Sequence, residues 1–195
     1  MFIPSTQAAE GYPRRAFTVY DINRMIAAEI IAEDDKIELI EGDIAVTPQK
    51  VYEQDVVRIE LLMAMMRARP RDAMVAAALT VQLSEDTLID GDIVVFPRGE
   101  FKSSPAKFGC FDDGKLLLVV EIAALNIAYD RVLKARLYAR YGVRELWVID
   151  ARRRVTWIHT APTAEGWGSI VEHGPDDILT TPALAGFAVK LCELE

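Results

Sequence analysis

Leu116-Leu117-Leu118-Val119-Val120-Glu121-Ile122 is the stretch that decides the fold. An apolar run this short and unbroken reads as a central strand buried on both faces. Glu121 sits at its end, where burying a carboxylate is costly without a cation. Downstream, Tyr129-Asp130-Arg131-Val132-Leu133-Lys134 opens a helix predicted from about Ala128 to Tyr141, with Gly142 as its stop. That helix brings Lys134 back toward the strand end. Glu145-Leu146-Trp147-Val148-Ile149-Asp150 is the following strand. Residues 116–150 are therefore a strand–helix–strand unit, expected to cross over right-handed. Upstream, Asp92 leads into another apolar strand, Ile93-Val94-Val95-Phe96. Two acids and a lysine on adjacent strand ends are the simplest apparatus for metal-assisted phosphodiester cleavage.

Outward from this unit, the rest reads as one domain over residues 17–195 behind an extended arm at 1–16. A first helix is predicted from about Asp21 to Glu33, capped by Thr18 or Asp21. Lys36-Ile37-Glu38-Leu39-Ile40, the turn Glu41-Gly42-Asp43 and Ile44-Ala45-Val46 read as a β-hairpin ended by Thr47-Pro48. Tyr52, Val56, Ile59, Met63 and Met66 are spaced as one face of a helix over about 51–68, and that methionine-rich face is read as core. Met74–Ala78 and Thr80–Leu83 look like two strands, and 97–115 like a surface loop of the kind that flanks a site. Strands around 154–160 and Trp167–Val171 follow, then a short closing segment from Pro182. The class is α/β or α+β with a mixed sheet.

The chain has 195 residues, is 51% hydrophobic and carries a formal net charge of −8. Such apolar content excludes disorder. No apolar run approaches the ~18 residues of a membrane span, and the N-terminus lacks the blocks of a signal peptide. Cys110 and Cys192 give neither a disulfide framework nor a metal spacing. The expected setting is the cytoplasm, with no membrane partner. The acidic total counts against indiscriminate nucleic-acid binding. It leaves room for local basic runs such as Arg131, Lys134, Arg136, Arg140 and Arg144.

Several segments in register resemble the Uma-two family of restriction-endonuclease-like proteins, part of the PD-(D/E)XK nuclease superfamily. They are Phe17-Thr18-Val19, Asp34 through Asp43, Gly91-Asp92-Ile93-Val94, Val120-Glu121-Ile122-Ala123, Ala128-Tyr129-Asp130-Arg131 with Lys134, and Leu137 through Asp150. The resemblance implies a mixed β-sheet flanked by helices, with an N-terminal helix and hairpin. It implies Asp92 and Glu121 as metal-binding carboxylates, aided by the backbone carbonyl of Ile122, and Glu38 as the family's N-terminal glutamate. In the superfamily the lysine stands two residues after the glutamate, on the same strand face. That position is Ala123 here, so Lys134 serves only if the helix folds back over the strand end. Mg²⁺, or Mn²⁺, is the implied cofactor and DNA of unspecified structure the partner. Tyr138 and Arg131 are candidate phosphate contacts.

Three departures bear on activity. Gly91-Asp92 stands where the family has Pro-Asp. Glu53 aligns where it often has a histidine. Ala124, Leu125 and Asn126 stand where it has a small polar run, after Ala123 at the superfamily's lysine position. Plainer readings remain open beside the site reading. Asp130 and Lys134 are spaced as a surface helix pair, Asp92 as a turn residue, and Glu38 as part of a solvated strand face. Glu53 suits a helix N-terminus, and His159 and His173 read as structural or surface residues. The leading expectation is a metal-dependent DNA endonuclease, homodimeric by default. The alternative is a catalytically silent nuclease-fold module for DNA binding, protein binding or oligomerisation.

Overall fold

The computed structural model describes residues 15–32, 35–47, 50–105, 108–111 and 114–194. The expected arm through Arg14, the Glu33 helix end, the Asp34 start of the matched block and the Pro48 strand stop lie outside them.

The fold is α+β. Among the described residues ten strands form one mixed sheet, with three α-helices packed against it. Helix α1 spans Val19–Ala27. Thr18 caps it: its hydroxyl accepts from the Asp21 N–H at 3.1 Å, and the Asp21 carboxylate accepts from the Thr18 N–H at 3.0 Å. This reciprocal box satisfies two otherwise orphaned donors. The helix stops short of the expected end because the chain reverses at Glu29, whose φ is +56°. There the Ile30 N–H reaches back to the Met25 carbonyl at 2.9 Å. Strands β1 (Ile37–Ile40) and β2 (Asp43–Val46) form the hairpin. Its two-residue turn, Glu41-Gly42, has positive φ at both positions, as a tight hairpin requires.

Helix α2 (Tyr52–Ala68) packs on the sheet with Val57, Leu61 and Met65. The face expected to be core points the other way: Tyr52, Ile59, Met63 and Met66 are exposed. The helix is apolar on two opposite sides, so periodicity alone does not say which side meets the sheet. Strand β3 (Ala73–Ser84) is one long strand rather than two. It bends at Ala78, where φ is +50°. It pairs antiparallel with β4 (Thr87–Pro97). The expected loop after β4 holds β5 (Lys102–Ser103) and β6 (Gly109–Cys110), which extend the sheet beyond β3. Phe96, Phe101 and Phe111 cluster beneath them.

The deciding run becomes β7 (Leu118–Ala123), buried at every position. It is followed by a wide helical turn over Tyr129–Lys134, then α3 (Ala135–Arg140) and β8 (Glu145–Asp150), which lies parallel to β7. Gly142, with φ +73°, ends the helix as expected. β9 (Val155–Thr163) and β10 (Gly166–His173) continue antiparallel to the edge. Side chains alternate along β7: Leu118, Val120 and Ile122 join the α2 core, while Val119 packs with Leu137 and Tyr138 of α3. Beyond β10, Leu179, Leu184, Phe187 and Leu191 close the α2 core.

One topological detail positions everything that follows. Along the edge facing away from β3, β4 pairs first with β1 (Leu39 opposite Leu88) and then with β7 (Ile93 opposite Val120). Between these two partners, at Asp90–Asp92, the β4 backbone lies at a fork in the sheet.

Candidate active site at the strand fork

A backbone N–H or C=O at such a fork loses its ladder partner, and leaving it unpaired in the interior is unfavourable. Here charged side chains take over. The Asp90 N–H donates to Glu38 Oε1 at 3.1 Å, and the Asp90 carbonyl accepts from Lys134 Nζ at 3.2 Å. Across the fork the Ile122 N–H donates to Asp92 Oδ2 at 2.8 Å. The fork opens into a cavity of about 550 Å³.

Lys134 is the centre of the network. It is only 5% exposed, and its ammonium lies 2.8 Å from Glu38, 3.1 Å from Glu121 and 3.8 Å from Asp130. The helix does fold back over the strand end. Glu121, by the two-residue alternation of β7, faces the α3 side and there meets both Lys134 and the Tyr138 hydroxyl, which donates to Oε1 at 2.5 Å. Glu38 also accepts from the Tyr129 hydroxyl at 3.1 Å. The wide turn, with its i→i+5 winding, places Tyr129, Asp130 and Lys134 around one point; such turns concentrate at functional sites.

The electrostatics follow from burial. Desolvation pushes the Glu121 carboxyl up to about 7, against the pull of Lys134 and the Tyr138 hydroxyl. Desolvation likewise lifts Asp130 to about 6. Burial works against the charge on Lys134, but Glu121, Glu38 and Asp130 outweigh it and hold the ammonium above the ordinary lysine range. Burial and the nearby glutamates raise both Tyr129 and Tyr138. Both phenols are therefore donors at neutral pH.

Asp92, Glu121, Lys134 and Glu38 thus meet around one cavity, and Ile122 lies in its wall. Glu38, read as open between two roles, is 1% exposed. Two candidate phosphate contacts are engaged elsewhere. Tyr138 is spent on Glu121, and the Arg131 guanidinium stacks 3.9 Å from the centre of the Trp157 ring. Glu53 pairs with exposed Arg152 at 3.5 Å, away from the site. Its neighbour Gln54 faces inward, donating from Nε2 to the Ile122 carbonyl at 2.6 Å and accepting from the Val51 N–H at 2.9 Å. A one-residue shift on a helix turns a side chain by about 100°, which separates the two. His159 is buried on the Leu146 and Trp157 carbonyls, and His173 lies 4.0 Å from Asp177. Neither lines the cavity.

Sequence reasoning missed Lys50. It stands just ahead of α2 and forms an ion pair with Asp92 Oδ1. Burial, together with Arg58 and Lys134, lowers its pKa. The available signal was the spacing of four between Lys50, Gln54 and Arg58, polar residues at and just ahead of the start of the helix. Among the described residues no three carboxylate, imidazole or thiol groups gather as a metal site. The donors at the fork are two carboxylates and a carbonyl, oxygen ligands of the kind hard divalent ions prefer. The Lys50 ammonium already occupies a cation's place on Asp92, so the residues present fit such an ion once that lysine withdraws.

The chain is similar to known proteins in two comparisons. A family model described as "Uma2: Putative restriction endonuclease" matches residues 21–192. A crystal structure described as "a putative nuclease belonging to DUF820 from Anabaena variabilis" superposes with a TM-score of 0.71. It covers 91% of this chain and 97% of that one at 17% identity. No curated protein matches. No helix among the described residues is long and apolar enough to cross a membrane.

Proposed function

We propose that this chain, which belongs to the Uma2 family, is a metal-dependent endonuclease that hydrolyses phosphodiester bonds in DNA. The observation that carries this reading is the convergence of Asp92, Glu121 and a buried Lys134 at the strand fork. Asp92, Glu121 and the Ile122 carbonyl would hold Mg²⁺ or Mn²⁺. Such an ion polarises a phosphate oxygen and acidifies a water molecule. The protein's own part is arrangement. Tyr138 fixes one oxygen of Glu121, and Gln54 fixes the Ile122 carbonyl. Lys134 holds its charge at the cavity wall, where it stabilises negative charge building on the phosphate. Glu38 keeps Lys134 and the Asp90 backbone in register.

The competing reading is a nuclease-fold module that binds without turnover. It is favoured by the Lys50–Asp92 pair and by the apolar lining at Ala123, Ala124 and Leu125. Both readings place the chain in the cytoplasm as a homodimer, and the exposed Tyr52–Met66 side of α2 offers an apolar face for a second copy.

The test is cleavage of supercoiled and linear DNA in Mg²⁺ or Mn²⁺ by the wild type, Glu121→Ala and Lys134→Ala. Cleavage lost in both variants supports the endonuclease. No cleavage by the wild type with either ion moves the weight to the silent module. Equal cleavage by all three proteins exposes a contaminant.

A further inference from the structure

The cavity at the fork has walls of opposite charge. Of the acids that line it, Glu38, Glu121 and Asp130 surround Lys134, while Asp90 accepts from Thr80, Asp92 pairs with Lys50 and Asp55 with Arg58. Lys134 has three N–H donors and, within 4 Å, three carboxylates and the Asp90 carbonyl. Its N–H donors are all taken, so it offers charge at the scissile phosphate but no hydrogen bond to the flanking, anchoring phosphates.

The remaining cations lining the cavity are Lys36, Lys50 and Arg58. They stand together for simple geometric reasons. Lys36 lies just ahead of β1, two residues before Glu38. Gln54 and Arg58 are four apart on one side of α2, and Lys50 stands just ahead of its N-cap, Val51. Arg58 carries the strongest sign of a missing partner. Its Nη2 is held by Asp55 at 2.5 Å, but its Nε is buried and has no hydrogen-bond partner among the described residues. A buried donor left unpaired costs about 1–3 kcal/mol, and a native structure keeps one for a reason. The guanidinium edge suits the two free oxygens of a phosphodiester.

We propose that Lys36, Lys50 and Arg58 form the phosphate-receiving wall of the site, which seats the DNA backbone beside the scissile position. Arg58 donates through Nε to a phosphate flanking the cut. Lys36, at the exposed rim, takes the next one. Lys50 turns from Asp92 to the strand when a divalent ion takes its place. The inference rests on the nuclease reading and adds to it the direction from which the strand enters, the side of β1 and the head of α2. It also accounts for how a chain of net charge −8 could hold a polyanion: by one local wall rather than a basic face.

The experiment is fluorescence anisotropy of a labelled oligonucleotide, single-stranded and duplex, with the full chain in Ca²⁺ over a series of salt concentrations. The proteins are wild type, Arg58→Met, Arg58→Lys, Lys36→Met and, as a control at the opposite end of the sheet, Arg144→Met. Each removed phosphate contact should flatten the log–log salt dependence by about one. Arg58→Met should bind on the order of tenfold more weakly at moderate salt, Lys36→Met less so, and Arg58→Lys in between. Arg144→Met should bind as the wild type does. Melting curves accompany each protein, and exposed Lys36 gives a variant whose folding is not at issue.

Wild-type affinity in both Lys36→Met and Arg58→Met overturns the wall and leaves the nuclease reading standing. Equal loss in Arg144→Met overturns it too, as an effect of overall charge. If the wild type neither binds nor cleaves either oligonucleotide, the nuclease reading fails and the wall fails with it.

Discussion

Two buried glutamates sit on neighbouring strands and end in opposite ways. Glu121 lies near the end of β7, and Glu145 begins the parallel strand β8. Each is 3% exposed, and each borders a cavity, of about 550 Å³ and 610 Å³ respectively. Burial raises the pKa of both. Their partners differ. Glu145 accepts from the Trp147 indole N–H at 2.6 Å and from the Thr181 hydroxyl at 2.7 Å, both neutral donors. Glu121 is held by a buried ammonium and belongs to a cluster with Glu38 and Asp130. A carboxylate with two neutral donors is a fixed structural element that ties the C-terminal segment to the sheet. A carboxylate in a charge cluster is poised to exchange one cation for another. Burial alone does not distinguish a site from a scaffold; the kind of partner does.

The comparison can be broken most forcefully at Lys134. Lys134→Met strips the shared cation from two buried glutamates and the half-buried Asp130 and should cost about 3–5 kcal/mol at pH 8. The loss should shrink toward pH 5, where Glu121 and Asp130 take up protons. Urea unfolding in EDTA measures it, and a variant as stable as wild type at pH 8 would show the cluster to be solvated.

Glu121 itself gives the pH signature. Its folded pKa of about 7 lies above the ordinary 4.5, so within that interval the folded state binds more protons than the unfolded. Its contribution is therefore fully present below 4.5 and lost as pH rises through about 7. Relative to Glu121→Gln, the wild type should lose roughly 3 kcal/mol over that interval in EDTA. A constant difference between the two proteins would count against the buried, titrating carboxyl.

Cleavage separates the glutamates next. Glu121→Gln should lower the metal-dependent rate on the order of a hundredfold, while Glu145→Gln should cleave as the wild type does. Glu145→Gln should instead lose about 1 kcal/mol of stability by weakening its paired hydrogen bonds, read as a lower urea midpoint. The smallest effect belongs to Glu53→Ala. It removes an exposed pair with Arg152 and should change stability by no more than about 0.5 kcal/mol, with cleavage intact. A large loss of activity there would mean that the start of α2 had been misread.

The sheet's centre was legible because its signals are local. The apolar run ending in Glu121, the helix ending at Gly142 and the hairpin at Glu41-Gly42 each announce themselves within a few residues. The resemblance supplied Lys134's role, and the fold-back of the helix supplied the place for it. What stayed hidden depends on partners distant in sequence. The fork exists because β4 changes neighbours, and no feature of residues 90–92 says which strands will lie beside them. The exposed side of α2 reads as core because both of its sides are apolar, and only the position of the sheet decides between them. Lys50, just ahead of α2, and Arg58 within it carry no local sign of the cavity they border. The stop of α1 carries no glycine, since Glu29 itself adopts the left-handed conformation.

The wide turn at Tyr129–Lys134 gives the helix a phase as well as a position. A π-turn holds one residue more than an α-helix would need for the same advance, so it behaves as an insertion absorbed without a loop. Deleting a single residue there would restore regular winding and rotate everything before the cut by about 100° against everything after it. Tyr129 and Asp130 would then leave the carboxylates while Lys134 and Tyr138 kept their seats. The spare residue acts as the spacer that lets one short helix address Glu38 from its first turn and Glu121 from its second.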